Sequence, residues 1–194
     1  MGEHAVRVSS SLGLDKTKYK QLNNITLLLR DGSTTQIDHI ILSKYGIFVI
    51  ETKNMKGKIH GEESQKEWTQ HLFNIQNRFQ NPIFQNYRHI KSLQETTKLP
   101  SSCFVSVVVF VGECSFASPP PKGVHKGVSY IGYIKSFSQE ILKEEELSRA
   151  MADIHARRLK NSRKTDRLHI QNLKARHVAN KAQDKQGKTN GASG

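Results

Sequence analysis

Three ionisable residues, Asp38, Glu51 and Lys53, have types and a spacing that could act together in catalysis. They lie in two apolar runs, residues 35–42 and 47–53, that are joined by a Ser-Lys-Tyr-Gly turn. If these runs pair as an antiparallel hairpin whose loop is residues 44–45 or 43–46, Asp38 lies directly opposite Glu51. Lys53 then shares their face, diagonal to Asp38. A loop with an odd residue count would send the two carboxylates to opposite faces.

Two opposed carboxylates destabilise a sheet, and burying them without a partner raises the pKa of one of them. A bound divalent cation would relieve this penalty, because hard cations prefer carboxylate oxygens as ligands. The Lys53 ammonium could then stabilise charge on a phosphate and orient an attacking water. This combination predicts metal-assisted phosphodiester hydrolysis. The alternative is that Asp38, Glu51 and Lys53 form a structural ion cluster.

The reverse face of the hairpin is also largely apolar, which predicts a sheet covered on both sides. This reverse face is expected to carry Ile37, His39 and Ile41 against Phe48, Ile50 and Thr52. His39 is therefore interpreted as a hydrogen-bonded core residue and not as a metal ligand. Trp68 is expected to pack in a core, as most aromatic residues do.

The flanking elements follow from periodicity and from turn residues. We predict a first helix over residues 3–12, a strand over 25–30 that ends at Asp31-Gly32, and a short strand over 57–61. Asn81-Pro82 marks the start of a helix that runs to about Lys98. Its apolar face is predicted to consist of Ile83, Phe84, Tyr87, Ile90 and Leu93.

The second half of the chain continues this alternation of strands and helices. Residues 103–111 read as a buried strand and residues 128–134 as another strand. A long helix is predicted from Ser138 to about Lys160, after the stiff segment Ser118-Pro119-Pro120-Pro121. Its inward positions are expected to be Ile141, Leu142, Leu147, Met151 and Ile154.

Composition indicates a soluble globular protein. Hydrophobic residues make up 36% and charged residues 24%, and the longest apolar run is too short to cross a membrane. Cys103 and Cys114 cannot build a disulfide framework, so we expect buried free thiols in a reducing compartment, the cytoplasm. The histidines and cysteines lack metal-ligand spacing, which argues against a zinc site.

The formal charge of +13 is concentrated near the C-terminus. Residues 157–188 hold eleven Lys or Arg against two Asp, and therefore carry +9 of that charge. Such a segment is typical of a protein that binds a polyanion, although it can also be a solvated extension.

Several motifs resemble the nuclease-related domain (NERD), a family placed in the PD-(D/E)XK, restriction-endonuclease-like superfamily. These motifs are Gly2-Glu3, Gln36-Ile37-Asp38-His39, Gly46 to Lys53, Trp68, and Asn81-Pro82 with Gln85. The resemblance covers about residues 2–110. It implies that Asp38, Glu51 and Lys53 are metal-binding and catalytic residues, that Glu3 is an additional acidic residue near the metal, and that Gln85 belongs to the catalytic set.

Together these observations predict an α/β fold of the restriction-endonuclease-like type, with a mixed central sheet whose early strands are antiparallel and which helices flank. Residues 1–135 are expected to form the core domain, 136–160 a helix packed on it, and 161–194 a basic, largely flexible tail. The expected function is hydrolysis of phosphodiester bonds in DNA with Mg2+ or Mn2+. No small-molecule cofactor is expected.

Two alternatives remain open at the level of the sequence. One is a catalytically inactive module that keeps the fold and binds DNA. The other is an interaction protein whose C-terminal helix and basic tail dock a partner or an acidic membrane surface.

Overall fold

The fold is described from a computed structural model, which covers residues 2–29, 31–160 and 170–172. The elements in chain order are α1 (Gly2–Gly13), β1 (Lys20–Leu28), β2 (Thr34–Ser43), β3 (Gly46–Asn54), β4 (Gly57–His60), β5 (Glu67–Leu72), β6 (Ile75–Gln80), α2 (Pro82–Thr97), β7 (Phe104–Val111), β8 (Cys114–Phe116), β9 (Val124–Lys126), α3 (Ser129–Lys135) and α4 (Glu144–Arg157), with a 3-10 turn at Ser101–Cys103.

The main sheet has five strands in the order β1-β2-β3-β7-β9. The pairs β1–β2 and β2–β3 are antiparallel, while β3–β7 and β7–β9 are parallel. Ile47, Val49, Val107 and Val109 of the central pair are fully buried, as expected for strands covered on both faces. The predicted mixed sheet with antiparallel early strands is confirmed, and the architecture is consistent with a restriction-endonuclease-like fold.

A second, smaller sheet has the order β6-β5-β4-β8. Its inner strands continue the main sheet, because Met55 N–H donates to Val111 O and Gly57 N–H donates to Glu113 O, 3.0 Å each. Of its four strands only β4 was predicted from the sequence, and β5, β6 and β8 were not. Trp68 of β5 is 1% exposed and stacks on Phe110 at 6.0 Å, which confirms the prediction that it packs in a core.

Helices cover both faces of the main sheet. α2 and α4 pack on the face that carries Ile40 and Val49, whereas α1 and α3 pack on the face that carries Phe48 and Ile50. The Asn81 side chain caps α2 by accepting from Ile83 N–H at 2.9 Å, and Pro82 follows at the first position, as predicted. Cys103 and Cys114 are buried free thiols, also as predicted.

The predicted apolar face of α2 is partly wrong. Ile90 and Leu93 are buried, but Phe84 and Tyr87 are 38% and 56% exposed. The buried face is instead completed by polar residues that find hydrogen bonds inside the protein: Asn86, His89, Ser92, Thr96 and Thr97. The prediction from apolar spacing alone therefore placed the buried face of α2 at the wrong rotation about the helix axis.

Two predictions for the second half of the chain are also wrong. Residues 128–134 were predicted to be a strand, but Ser129–Lys135 is the helix α3. Its buried residues Tyr130 and Ile134 are four apart, one helical turn, while Val128 is 68% exposed. Residues four apart share one face in a strand as well as in a helix. In so short a segment the apolar pattern therefore fits both structures.

The long helix begins at Glu144 and not at Ser138. Glu146 accepts from the main-chain N–H of Lys143 at 2.8 Å, and three glutamates occupy the first turn, where the helix dipole favours negative charge. Leu142, Leu147 and Ile154 are buried as predicted, although Leu142 precedes the helix, whereas its neighbour Ile141 is 41% exposed.

Most of the predicted basic tail, residues 161–169 and 173–194, lies outside the described residues. Residues 170–172 form a helical turn in which the Asn172 amide donates to Thr34 Oγ1 at 3.2 Å. None of the helices in the described part of the chain combines the length and the apolar character that a membrane-spanning helix requires.

Candidate active site

The hairpin of β2 and β3 has the register that places Asp38 and Glu51 at facing positions. Leu42 pairs with Ile47, Ile40 with Val49, and the ladder ends at His39 and Ile50. Beyond this last pair, Thr52 N–H donates to Asp38 Oδ2 at 2.8 Å. The Asp38 carboxylate thus takes the place that a main-chain carbonyl would have in a regular ladder. The predicted register is therefore confirmed from Ser43–Gly46 to His39–Ile50, and continuing it by one position places Asp38 opposite Glu51, just beyond the last pair.

The other edge of β2 is also interrupted at Asp38. The β1–β2 ladder pairs Asn23 with His39 and Ile25 with Ile37, but it omits Asn24 and Asp38. Asn24 has φ of 51°, in the left-handed region that asparagine tolerates better than most residues. Ile37 consequently packs with Ile40 and not with Ile41, which corrects the predicted strict alternation of the reverse face.

Glu51 is the most buried member of the site, at 3% exposure. Its Oε1 lies 2.8 Å from Lys53 Nζ, and its Oε2 lies 3.2 Å from His89 Nε2. Burial by itself would raise the pKa of Glu51, but the hydrogen bond from His89 and the charge of Lys53 outweigh it and hold that pKa below its ordinary value. Glu51 is therefore an ionised carboxylate with a partner on each oxygen.

Lys53 joins the sheet to helix α2. Besides its ion pair with Glu51, its ammonium donates to Gln85 Oε1 at 2.8 Å. The Lys53 side chain is 21% exposed, so it is held at the surface end of a buried carboxylate and stays open to solvent. Gln85 lies on the site side of α2, one turn after the helix begins.

His89 is a site residue to which sequence reasoning assigned no role. It is 5% exposed, and its Nδ1 lies 2.7 Å from Thr35 Oγ1. Because an ionised carboxylate only accepts hydrogen bonds, Nε2 is the nitrogen that donates to Glu51. The signal for this role is the spacing from Gln85, because residues four apart lie on one helix face.

Asn86 fixes the helix that carries Gln85 and His89. Its buried amide nitrogen lies 2.7 Å from Val49 O, 2.9 Å from Ser106 Oγ and 3.3 Å from Val107 O. These contacts tie α2 to the central parallel pair β3–β7. The helix is thereby held at the depth where Gln85 reaches Lys53 and His89 reaches Glu51.

Asp38 has a different electrostatic environment from Glu51. Burial and the nearby Glu51 carboxylate raise the pKa of Asp38 to about 7, against the lowering effect of the Thr52 N–H bond. Lys53 acts on Asp38 only weakly, because its short contacts are with Glu51 and Gln85. The positive charge of Lys53 therefore balances Glu51 and leaves Asp38 without a comparable partner.

Glu3 lies in the first turn of α1, beside this region but outside its hydrogen-bond network as described. It is exposed, and its charge contributes only a minor part of the raised pKa of Asp38. Gly2 explains how α1 comes so near: an added Cβ would lie 2.8 Å from Val111 Cγ2 and 2.9 Å from Asn54 Cβ. Glycine at this position lets the helix start against the ends of β3 and β7.

His39 is buried at 1% exposure on the other side of β2, as predicted. Its Nδ1 lies 2.7 Å from Asn23 Oδ1, whereas Nε2 has no hydrogen bond of good geometry among the described residues, although an interaction with the Glu3 main chain acts to raise the pKa of the ring. The prediction of a fully bonded ring is therefore only half met. Burial lowers the pKa of His39 to about 4, which keeps the ring neutral.

The donor set suits a hard divalent cation. Among the described residues, no three His, Cys, Asp or Glu side chains converge on one point. Mg2+ commonly takes only one or two carboxylates in proteins and completes its shell with water and phosphate oxygens. Asp38 and Glu51 supply two such carboxylates, and a cation between them would offset the charge repulsion that, together with burial, raises the pKa of Asp38.

Comparison with known proteins agrees with this geometry. The nuclease-related domain family (NERD) matches residues 1–111. An uncharacterized protein of Bacillus anthracis is 37% identical over 138 residues, which are 69% of this chain and 65% of that protein, so the chain spans less than two thirds of this relative. No solved structure matches at a significant level. Because the family match covers more than half of the chain and contains every residue of the site, this protein belongs to the nuclease-related domain family.

Proposed function

We propose that this protein is a metal-dependent nuclease that hydrolyses phosphodiester bonds in DNA. The observation that carries the proposal is the pair Asp38 and Glu51 at the opening of the β2–β3 ladder, with Lys53 bonded to Glu51 on the same side. Two carboxylates that can hold a metal, with an ammonium bonded to one of them, are groups suited to metal-assisted phosphodiester hydrolysis.

Asp38 and Glu51 would hold the cation, with Glu3 as an outer acidic residue. Mg2+ or Mn2+ in this position would polarise the scissile phosphate and lower the pKa of an attacking water. Asp38 can serve as a ligand only when ionised, which its pKa of about 7 permits at neutral pH and above. Glu51 is already ionised, and the bond from His89 fixes the direction of its Oε2.

Lys53 would act on the phosphate itself. Its ammonium is held 2.8 Å from both Glu51 Oε1 and Gln85 Oε1, and one of its three N–H donors is left for a phosphate oxygen or a water. In that position it would stabilise the negative charge that develops on the phosphate and help orient the water. Gln85 would keep the ammonium in place, and His89 would keep Glu51 in place.

DNA is the proposed substrate because the chain is strongly basic and the site opens to solvent at Lys53, near the end of β3. A net charge of +13 attracts phosphate backbones through counterion release. The contrary observation is that both oxygens of Glu51 already have partners, which suits an inactive binding module. A test must therefore separate cleavage from binding.

The test is a titration of the purified chain with Mg2+ and Mn2+ against labelled DNA, and against RNA in parallel. Wild-type protein should cleave DNA with either metal and stop in chelator. Lys53→Ala should lose roughly a hundredfold or more in rate, as expected when one preorganised charge is removed, yet still bind DNA. Lys135→Ala removes an exposed cation from α3, on the opposite face of the sheet, and should cleave normally.

Equal cleavage by Lys53→Ala and wild-type protein would contradict the site assignment. DNA binding without cleavage in any metal would identify an inactive binding module instead. Faster cleavage of RNA than of DNA would overturn the choice of substrate.

A further inference from the structure

The hairpin of β5 and β6 presents an aromatic residue at its tip. Leu72 pairs with Ile75, which leaves Phe73 and Asn74 as a two-residue loop. Phe73 is 95% exposed and Ile75 is 59% exposed, so neither side chain contributes to a core. A fully exposed phenyl ring at a hairpin tip is an unusual use of an aromatic residue.

The backbone at Phe73 is also unsuited to phenylalanine. Its φ is 52°, in the left-handed region where Gly, Asn and Asp are the favoured residues of two-residue hairpin loops. For a bulky residue this conformation is strained, and such strain tends to persist where a function requires the side chain. Stability and solubility thus both disfavour phenylalanine here.

The surface around the tip suits a polyanion. The one acidic residue of the hairpin, Glu67, lies at the end of β5 far from the tip, while residues 68–80 contain Arg78 and no acidic residue. The adjacent strand β4 adds the exposed Lys58. Much of the rest of this surface consists of amide side chains, which can hydrogen-bond to phosphates or base edges: Gln70, Asn74, Gln76, Asn77 and Gln80.

The tip lies near the catalytic cluster, as the path from β3 through β4 to the neighbouring strand β5 shows. Lys58 pairs with His71, and the Gln70 amide donates to Lys56 O at 2.8 Å, so the tip lies level with Lys56. Lys56 is three residues beyond Lys53 on the continuous path from β3 to β4. At about 3.3 Å per residue this separation is roughly 10 Å along the strand.

We propose that the β5–β6 hairpin is a nucleic-acid contact in which Phe73 stacks on an unpaired base, so that single-stranded DNA is the preferred substrate class. The inference rests on the proposed nuclease function and specifies its substrate. A phenyl ring can stack on the face of a base only when that base is free of its neighbours, as in single strands. The cationic and amide groups of the hairpin would hold the adjoining backbone.

The experiment measures binding in chelator, where cleavage does not interfere. Wild-type protein, Phe73→Asn, Phe73→Trp and the control Leu12→Asn are titrated against a single-stranded oligonucleotide and its fully paired duplex. Leu12 is 84% exposed at the end of α1 and serves as an apolar surface residue away from the hairpin. A 2-aminopurine base in the single strand reports stacking by the quenching of its fluorescence.

Phe73→Asn should bind the single strand roughly five- to a hundredfold more weakly, the range expected for loss of one aromatic–base stack. Its duplex binding should change little, and the 2-aminopurine quenching should disappear. Phe73→Trp should retain both, and Leu12→Asn should match wild type. Because asparagine tolerates a positive φ, Phe73→Asn should melt at or above the wild-type temperature, so weaker binding would not come from unfolding.

Unchanged single-strand binding by Phe73→Asn would overturn the inference, as would equal losses on single strand and duplex. A change of oligomeric state in Phe73→Asn, with DNA binding intact, would make the tip a contact between copies of the chain and would overturn it too. Failure of the nuclease proposal is distinguishable, because it would appear as absent cleavage by a wild-type protein that still binds single strands.

Discussion

Asp38 and Glu51 occupy facing positions, but their environments give them opposite ionisation behaviour. Glu51 has His89 and Lys53 on its two oxygens and a lowered pKa. Asp38 has one main-chain N–H and the repulsion of Glu51, and its pKa is raised to about 7. Two carboxylates with separated pKa values are typical of functional sites, where environment assigns each group its role.

The raised pKa of Asp38 predicts how stability should depend on pH. A carboxyl whose pKa is about 7 when folded and 3.8 when unfolded binds more protons in the folded state between those values. Its contribution to the free energy of unfolding therefore decreases as pH rises through this window and stays low above pH 7. Asp38→Asn removes the charge and keeps an oxygen for the Thr52 N–H.

In chelator, the melting temperature of Asp38→Asn relative to wild type should thus increase from pH 5 to pH 8. Thermal melts of both proteins across this range measure the difference. A variant that is clearly less stable at pH 8, by the same margin as at pH 5, would instead support a structural ion cluster in which Asp38 is a needed partner of Lys53.

Much of the site could be predicted because it is local in sequence. Asp38, Glu51 and Lys53 belong to one hairpin, whose register follows from loop length and from the alternation of side chains. His89 and Asn86 could not be placed in the same way, because their partners are 38 and 37 residues away in β3. Contacts between a helix and a sheet depend on how the helix is rotated, and here polar residues set that rotation.

The errors at the scale of elements come from apolar patterns that are weak or ambiguous. β5 and β6 were not predicted because their sequences are rich in amides and because five of the six residues of β6 are exposed, so no apolar alternation marks them. The segment that forms α3 was predicted to be a strand because it is short and its apolar spacing fits both periods. Long buried strands such as β3 and β7 carry a strong signal and were predicted correctly.

The interruption of β2 at Asp38 shows how an element can serve a site at the expense of regularity. Its ladders with β1 and with β3 both lack a pair at this residue. The carboxylate is thereby freed from a regular position on the sheet, and Thr52 N–H becomes its partner. Such irregularities are common next to active sites, where they redirect a side chain.

At the scale of the whole molecule, positive charge is distributed unevenly. The segment after Lys160 contains eight Lys or Arg and two Asp, so it contributes +6 of the net +13. These residues are outside the structural description except for 170–172, but their charge alone should strengthen binding to phosphate backbones.

Deleting the residues after Lys160 should therefore flatten the dependence of DNA affinity on salt. Each phosphate contact contributes roughly 0.9 to the slope of log K against log salt on duplex DNA. The measurement is the Kd of wild-type and truncated protein over a series of salt concentrations. An unchanged slope would mean that the segment does not contact phosphates, and the basic tail would then be a solvated extension.

The central claim is that Asp38 and Glu51 together hold one divalent cation. The most direct test is calorimetric titration of Mn2+ into wild-type protein and Asp38→Asn at pH 8, above the pKa of Asp38. Wild-type protein should bind one Mn2+ per chain, and the variant should bind it at least about tenfold more weakly, because loss of a ligand should weaken binding no less than loss of a residue that supports one. Equal Mn2+ affinity of the two proteins, or no binding to wild type, would contradict the account.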